Sequence, residues 1–428
     1  RSRGAGNRCE NRMASVETDI SSQTVYRIVN MARSGLTPNT ICIILLLIAC
    51  APPAAAASVV QLTNDSAFDA YPFWSPDGAR IAFVSSDGVH AGIRVMERDG
   101  QNPVSVTDDR SWNLFTEFDP WSPDGKKLLF LSDDGGGLDL WTMNPDGTGR
   151  VRLTENGRIV PGLALSSYGA DWSSDGRQIV YTSCLFDNAA IWEDFVATAA
   201  NGSPAVNGSA IRTEADIWIM DADGGNKKPL MTDGDARLPL WQPHGDRIAY
   251  LSERSGNREI WVMQSDGTGK AQVTFSEGNV SEYAWSPDST RIAYVVAAPP
   301  GTWPEFSLWV INSDGSGSEQ LTTGNWDRSP VWSPDGARIA FRSESRNQTL
   351  WVMESDGSGL APLDTDNSAY MMQQWSPDGT TIVVSDLNDL YAIRLENPAA
   401  PASPGSGVVA TAGALLLTVC LLRLKGRY

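Results

Sequence analysis

The sequence predicts an all-β fold, a seven-bladed β-propeller, from a recurring phrase, its period and one displaced strand. The phrase is Trp-Ser-Pro-Asp-Gly or a near relative, and it begins at Trp74, Trp121, Trp172, Trp241, Trp285, Trp332 and Trp375. Successive copies lie 47, 51, 69, 44, 47 and 43 residues apart. A period in the forties suits a four-stranded blade and is long for a helical hairpin. The displaced strand is Val59 to Thr63, which precedes the first copy and supplies what the last copy lacks; six blades is the alternative count.

Each element of a unit can be read in order. The Pro-Asp-Gly turn follows the first strand and reverses the chain. A second run then appears as "RIAFVS", "KLLFLS", "QIVYTS", "RIAYLS", "RIAYVV", "RIAFRS" and "TIVVSD". Its β-branched and aromatic residues suit a packed pleated surface. A third run, such as "EIWVMQSDG" or "TLWVMESDG", ends in Asp-Gly in six of the seven units, a dipeptide that accepts positive φ in a tight turn. A short fourth run closes on Thr, as in "PVSVT", "RVRLT" and "AQVT". The last unit stops after its third run near Glu396, so "VVQLT" at Val59 to Thr63 is expected to join that blade and close the ring. Closure removes sheet edges that would otherwise invite aggregation.

This unit resembles the repeat of the TolB-like propeller family, with its WD-like PD40 repeats, over residues 59–398. The resemblance implies four-stranded blades around a central channel. Family members with that name are usually six-bladed and carry an N-terminal α/β domain, which no sequence before Val59 matches. Function is not implied by a shared propeller.

The flanks predict export. Residues 1–30 read as sequence upstream of a start at Met31, and residues 31–57 as a signal peptide with Arg33, an apolar stretch from Ile41 to Ala49 and cleavage after Ala57. Lipidation at Cys50, in "LIAC", is the rival reading. The propeller then occupies 58–398, a Pro/Ala/Ser-rich linker 399–406, and a transmembrane or sorting segment 407–428. The apolar stretch Gly407 to Leu422, followed by a basic end, is expected to tether the propeller outside the membrane. "PGS" before it is similar to the archaeal PGF-type C-terminal sorting signal, with Ser406 where that family has Phe.

Between Ser58 and Ala400 there are 24 Lys/Arg and 48 Asp/Glu, a net charge of −24, which opposes binding to nucleic acid. Cys184 is the one propeller cysteine, so no disulfide framework arises there, and it reads as a buried apolar residue. Five Asn-X-Ser/Thr sequons (Asn64, Asn201, Asn207, Asn279, Asn347) offer glycosylation sites.

Candidate binding residues lie in the connections between blades and between second and third strands, which share one face of the ring and vary most. Twelve of the sixteen tryptophans belong to the repeat; the other four, Trp112, Trp192, Trp303 and Trp326, all fall in these connections. Phe115, Phe186, Phe195 and Phe306 accompany them. They either pack the long loops or form an aromatic platform for a partner. Residues leading into the first strands should line the channel mouth: Tyr71, Glu117, Asp119, Tyr168, Asp171, Arg237, Glu282, Arg328 and Met371.

Catalytic signatures are not apparent. The two histidines, His90 and His244, have no triad or metal spacing. "DADGGN" at Asp221 to Asn226 lacks the later bidentate Glu of a calcium loop and reads as a turn. The expectation is therefore an exported, membrane-tethered, non-enzymatic propeller without cofactor or metal, which binds a protein or peptide through the variable face. A carbohydrate-binding or carbohydrate-cleaving surface protein, and a structural envelope component, are the alternatives.

Overall fold

The computed structural model describes residues 57–107, 110–116, 118–134, 138–155, 169–184, 215–298, 305–323, 326–344, 349–363, 372–386 and 388–395. All belong to one compact unit, Ala55–Tyr428. The leader, the linker and the C-terminal segment fall outside them, as do Glu117, Tyr168, Trp192, Trp303 and Met371. Among the described residues no helix is long and apolar enough to cross a membrane.

Seven four-stranded antiparallel sheets are present, which settles the blade count. Numbered by the phrase tryptophan that ends the first strand or follows it, blades I (Trp74), II (Trp121), III (Trp172), IV (Trp241), V (Trp285) and VI (Trp332) keep their strands in chain order; in blade VII (Trp375) the order is Ala57–Gln61, Leu390–Leu395, Thr381–Ser385, Met372–Trp375. The closing strand thus pairs over Ala57 to Gln61, two residues earlier than the sequence reading. Leu62 and Thr63 leave the ladder because both backbone N–H groups turn to the Leu390 carbonyl.

The repeat residues each have a visible task. In blade II, Ser122 Oγ donates to Asp124 Oδ1 at 2.7 Å and accepts from Lys127 N at 2.9 Å. Asp124 Oδ1 also accepts from Lys126 N at 3.1 Å. The Ser122 bond foremost holds the Asp124 carboxyl below its usual range. Gly336 of blade VI shows why glycine closes the turn: its φ is 68°, a left-handed conformation that costs a residue with a Cβ but not glycine. The closing Thr of the fourth run caps the third strand. Thr63, Thr107, Thr154, Thr274 and Thr322 Oγ1 each accept a third-strand backbone N–H at 2.8–3.0 Å.

The phrase tryptophans are buried, between 2% and 7% exposed, and join blade to blade. Trp121, Trp172, Trp285, Trp332 and Trp375 Nε1 donate to the carbonyl just before the tryptophan of the preceding blade, at 3.2–3.3 Å. The acceptors are Phe73, Pro120, Leu240, Ala284 and Val331. Arginines opening the second runs lie over the next blade's indole, Arg291 at 4.8 Å from Trp332 and Arg338 at 5.0 Å from Trp375.

Two junctions depart from this rule. At III/IV and VII/I the residue before the tryptophan is polar, Asp171 and Gln374. Each side chain accepts the backbone N–H of the next blade's tryptophan: Trp241 N to Asp171 Oδ2 at 2.7 Å and Trp74 N to Gln374 Oε1 at 2.6 Å. The Trp241 and Trp74 indole N–H groups find no acceptor among the described residues.

Candidate functional site

The inner strands line the channel, and four of them are bulged. Register breaks fall between Ala70 and Phe73, Arg237 and Leu240, Val280 and Glu282, and Arg328 and Val331. Tyr71, Leu238 and Ser329 sit within three of them at φ 54°, 53° and 55°. Non-glycine residues pay strain in this region, so the surrounding sheet must hold them there. A bulge bends its strand and re-aims the side chains around it.

Blade II shapes the lumen differently. Its inner strand is confined to Asn113–Leu114, and Pro120 cannot donate a ladder bond. The excursion carries Phe118 across the channel to the core shared by blades IV and V. Asp119 follows it: its carboxyl accepts from the Gln374 side chain of blade VII, and its charge adds to the rise of Asp171 in blade III. Protein surrounding the narrow lumen pushes Asp119 up to about 7 and Asp171 up to about 8. Asp119 still keeps an exposed surface, so water in the lumen reaches it. Trp121 N donates to Asp119 Oδ1 at 3.0 Å and favours the ionised form.

A cavity of about 290 Å³ opens beside Phe118, between blades IV, V, VI and VII. Glu282, Tyr283, Ser329 and Gln373 supply its polar groups. Ser329 N donates to Glu282 Oε2 at 2.6 Å, while Gln373 Nε2 donates to the Ser329 carbonyl. Burial raises the Glu282 carboxyl, against the Ser329 bond and the charges of Arg328 and Arg342. Tyr283 donates its hydroxyl to the Leu238 carbonyl, and burial lifts its pKa well above the usual phenol range.

Next to this cavity, Trp326, Phe306 and Arg328 form a stack. The two rings lie 5.5 Å apart, and the Arg328 guanidinium carbon is 3.5 Å from the Phe306 centroid and 5.8 Å from that of Trp326. Trp326 itself has φ 55°.

The sequence-derived candidates therefore divide. Trp326, Glu282 and Arg328 come together in the V/VI sector, while Asp119 and Asp171 meet in the lumen. Tyr71 and Trp112 pack instead against the core of blades I and II. Phe115 is buried there, edge-on to Phe73 at 5.7 Å, and is no platform residue. Arg237 lies 3.9 Å from Glu253. Phe118, Gln373 and Gln374 escaped sequence reasoning. The available signal was the residue before each phrase tryptophan, which is polar only at Asp171 and Gln374. Among the described residues no group of three or more His, Cys, Asp or Glu could hold a metal.

Fold and channel define the class: a seven-bladed propeller with a polar lumen crossed by one aromatic. Its repeats are TolB-like, since residues 205–398 match the family model of the TolB beta propeller domain. Among curated proteins, the chain is 29% identical over 128 residues to dipeptidyl-peptidase 5 of Porphyromonas endodontalis, covering 29% of this chain and 16% of that one. It is 36% identical over 93 residues to the Tol-Pal system protein TolB of Anaeromyxobacter dehalogenans, 21% of each chain. The chain thus spans about a fifth or less of the length of these relatives. Among solved structures, oligogalacturonate lyase in complex with manganese superposes at TM-score 0.61 with 16% identity, over 81% of this chain and 95% of the other, a likeness of fold.

One expectation is corrected by these findings. The absence of a recognisable triad or histidine cluster suggested a non-enzyme, but relatives sharing the repeat are named as peptidases and the superposed structure is a lyase. The missing motifs do not exclude catalysis, because channel carboxyls with raised pKa values need no sequence signature.

Proposed function

We propose that this propeller docks a protein or peptide segment on the face carrying the interblade connections, at the channel mouth between blades V and VI. The observation that carries this reading is the Trp326–Phe306–Arg328 stack beside the 290 Å³ cavity. Aromatic and arginine side chains dominate binding energy where they are preorganised next to a pocket. The TolB likeness supports a protein partner in the cell envelope, and the leader and tail described above would place the propeller outside and tethered to a membrane. Trp192, Trp303, Glu117 and Tyr168, which the sequence assigns to the same connections, lie outside the described residues.

The test is retention of the full chain on arrays of immobilised peptides and of cell-wall polysaccharides. Trp326→Ala is expected to lower peptide retention by about tenfold, the effect of losing one aromatic anchor. Unchanged peptide retention would refute the reading.

Carbohydrate binding or cleavage is the second reading, favoured by the raised carboxyls of Asp119 and Glu282 in one channel. Polysaccharide turnover that disappears in Glu282→Gln or Asp119→Asn would establish it.

A further inference from the structure

Resting on the peptide-docking reading, we propose that Arg328 anchors the free α-carboxylate of a peptide C-terminus entering the channel mouth. Arg328 and Arg237 occupy matching places, each one residue before a positive-φ bulge residue, Ser329 and Leu238. Their surroundings differ. Arg237 has Glu253 at 3.9 Å. Arg342, the cross-strand partner of Arg328, is paired with Glu344 at 2.5 Å. Arg328 has no carboxylate within ion-pair distance among the described residues, and its buried Nε has no acceptor among them. Glu282, whose carboxyl feels the Arg328 charge, already accepts from Ser329 N.

A guanidinium held over Phe306 and close to Trp326 has lost much of its rotational freedom while keeping donors to offer. That geometry matches a planar carboxylate, which can accept two parallel N–H bonds. One residue along the strand, the Ser329 carbonyl is bonded by Gln373. Gln373 is 8% exposed, lines the cavity, and its Oε1 has no donor among the described residues. An unfilled guanidinium beside an unfilled amide acceptor complements a terminal carboxylate followed by a backbone N–H. Both orphaned groups are costly while unpaired, so a ligand satisfying them recovers that cost on binding.

Electrostatics separate this ligand from a polyanion. With 48 acids against 24 bases between Ser58 and Ala400, the propeller repels a string of carboxylates. A single carboxylate placed directly on Arg328 escapes most of that penalty, because close pairing outweighs screened distant charge.

The experiment compares two immobilised hexapeptide pools of identical random composition, attached through their N-termini, one ending in a free carboxylate and one in an amide. Full-length protein should be retained about tenfold more by the free-carboxylate pool, the worth of a charge-assisted hydrogen bond pair. Arg328→Gln should bring the two pools to within about twofold, and Arg328→Lys, which keeps charge without the fork, should fall between. A near-ultraviolet circular dichroism spectrum matching wild type would show that each variant is folded. Equal retention of both pools by wild type would overturn the carboxylate anchor while leaving peptide docking standing. Retention of neither pool would remove both. A folded Arg328→Gln variant that still discriminates would place the anchor on another residue and overturn the assignment.

Discussion

Five of the seven junctions between blades are alike, and two are not. At the five, an apolar residue precedes the phrase tryptophan, and the next indole N–H reaches that residue's carbonyl. At III/IV and VII/I, Asp171 and Gln374 place a side chain in the channel and take the next tryptophan's backbone N–H instead. The indole N–H is left without a partner among the described residues. A single substitution at one repeat position thus exchanges an indole bond inside the wall for a polar group in the lumen. The uniform junctions serve the ring; the variant junctions give up part of that to furnish the channel.

The comparison breaks hardest at the indoles themselves. Trp332→Ala should cost about 3–5 kcal/mol, the usual loss for a buried aromatic truncated to Ala, read from the urea midpoint of the full chain. A loss below 1 kcal/mol would mean that the phrase tryptophan does not hold the wall. Next in size is Asp171→Ala, which leaves the Trp241 backbone N–H unpaired and should cost about 1–3 kcal/mol. Asp171→Asn keeps an acceptor and should cost less.

A finer contrast uses Trp→Phe, which removes the indole N–H and a similar volume everywhere. Trp332→Phe loses a bond, whereas Trp241→Phe removes an orphan donor. The first should be more destabilising than the second by about 1 kcal/mol. Equal losses would mean that the indole bonds contribute nothing.

The smallest effect is a pH slope. Asp119 and Asp171 are raised above their unfolded values, so the folded chain holds protons that the unfolded chain has released. Stability should therefore fall as pH rises from about 4 to about 8. The turn aspartates, lowered by their Ser partners, contribute the opposite slope only below about pH 4. Tm should be a few degrees lower at pH 8 than at pH 5.5, and Asp171→Asn should flatten the change. An identical slope in that variant would exclude Asp171 as its source.

The wall was legible because its chemistry is repeated and local. Ser, Asp and Gly of the phrase act within five residues of one another, and Thr caps its own blade fourteen residues away. The lumen was legible only in part. Asp119, Asp171, Glu282 and Arg328 were found because they lead into first strands. Which of them meet depends on bulges that shift register by a residue, and no local pattern announces Tyr71, Leu238 or Ser329 at positive φ. Phe118 could not be read as a channel residue, since the core it packs against belongs to blades IV and V, far along the chain. Trp112 and Phe115 resembled loop aromatics but serve the core between blades I and II, where neighbouring apolar strands already offered a surface to cover.

Ring closure by Ala57–Gln61 also orders events in time. Its partner Leu390–Leu395 lies more than three hundred residues downstream, so Val59 cannot meet Ile393 until six blades have been made. Until then the third strand of blade VII keeps an open edge, and loop closure over that distance is slow. The growing chain must carry an unpaired strand at each end of an incomplete ring, and whatever shields those two strands during synthesis determines how much of it reaches the closed form.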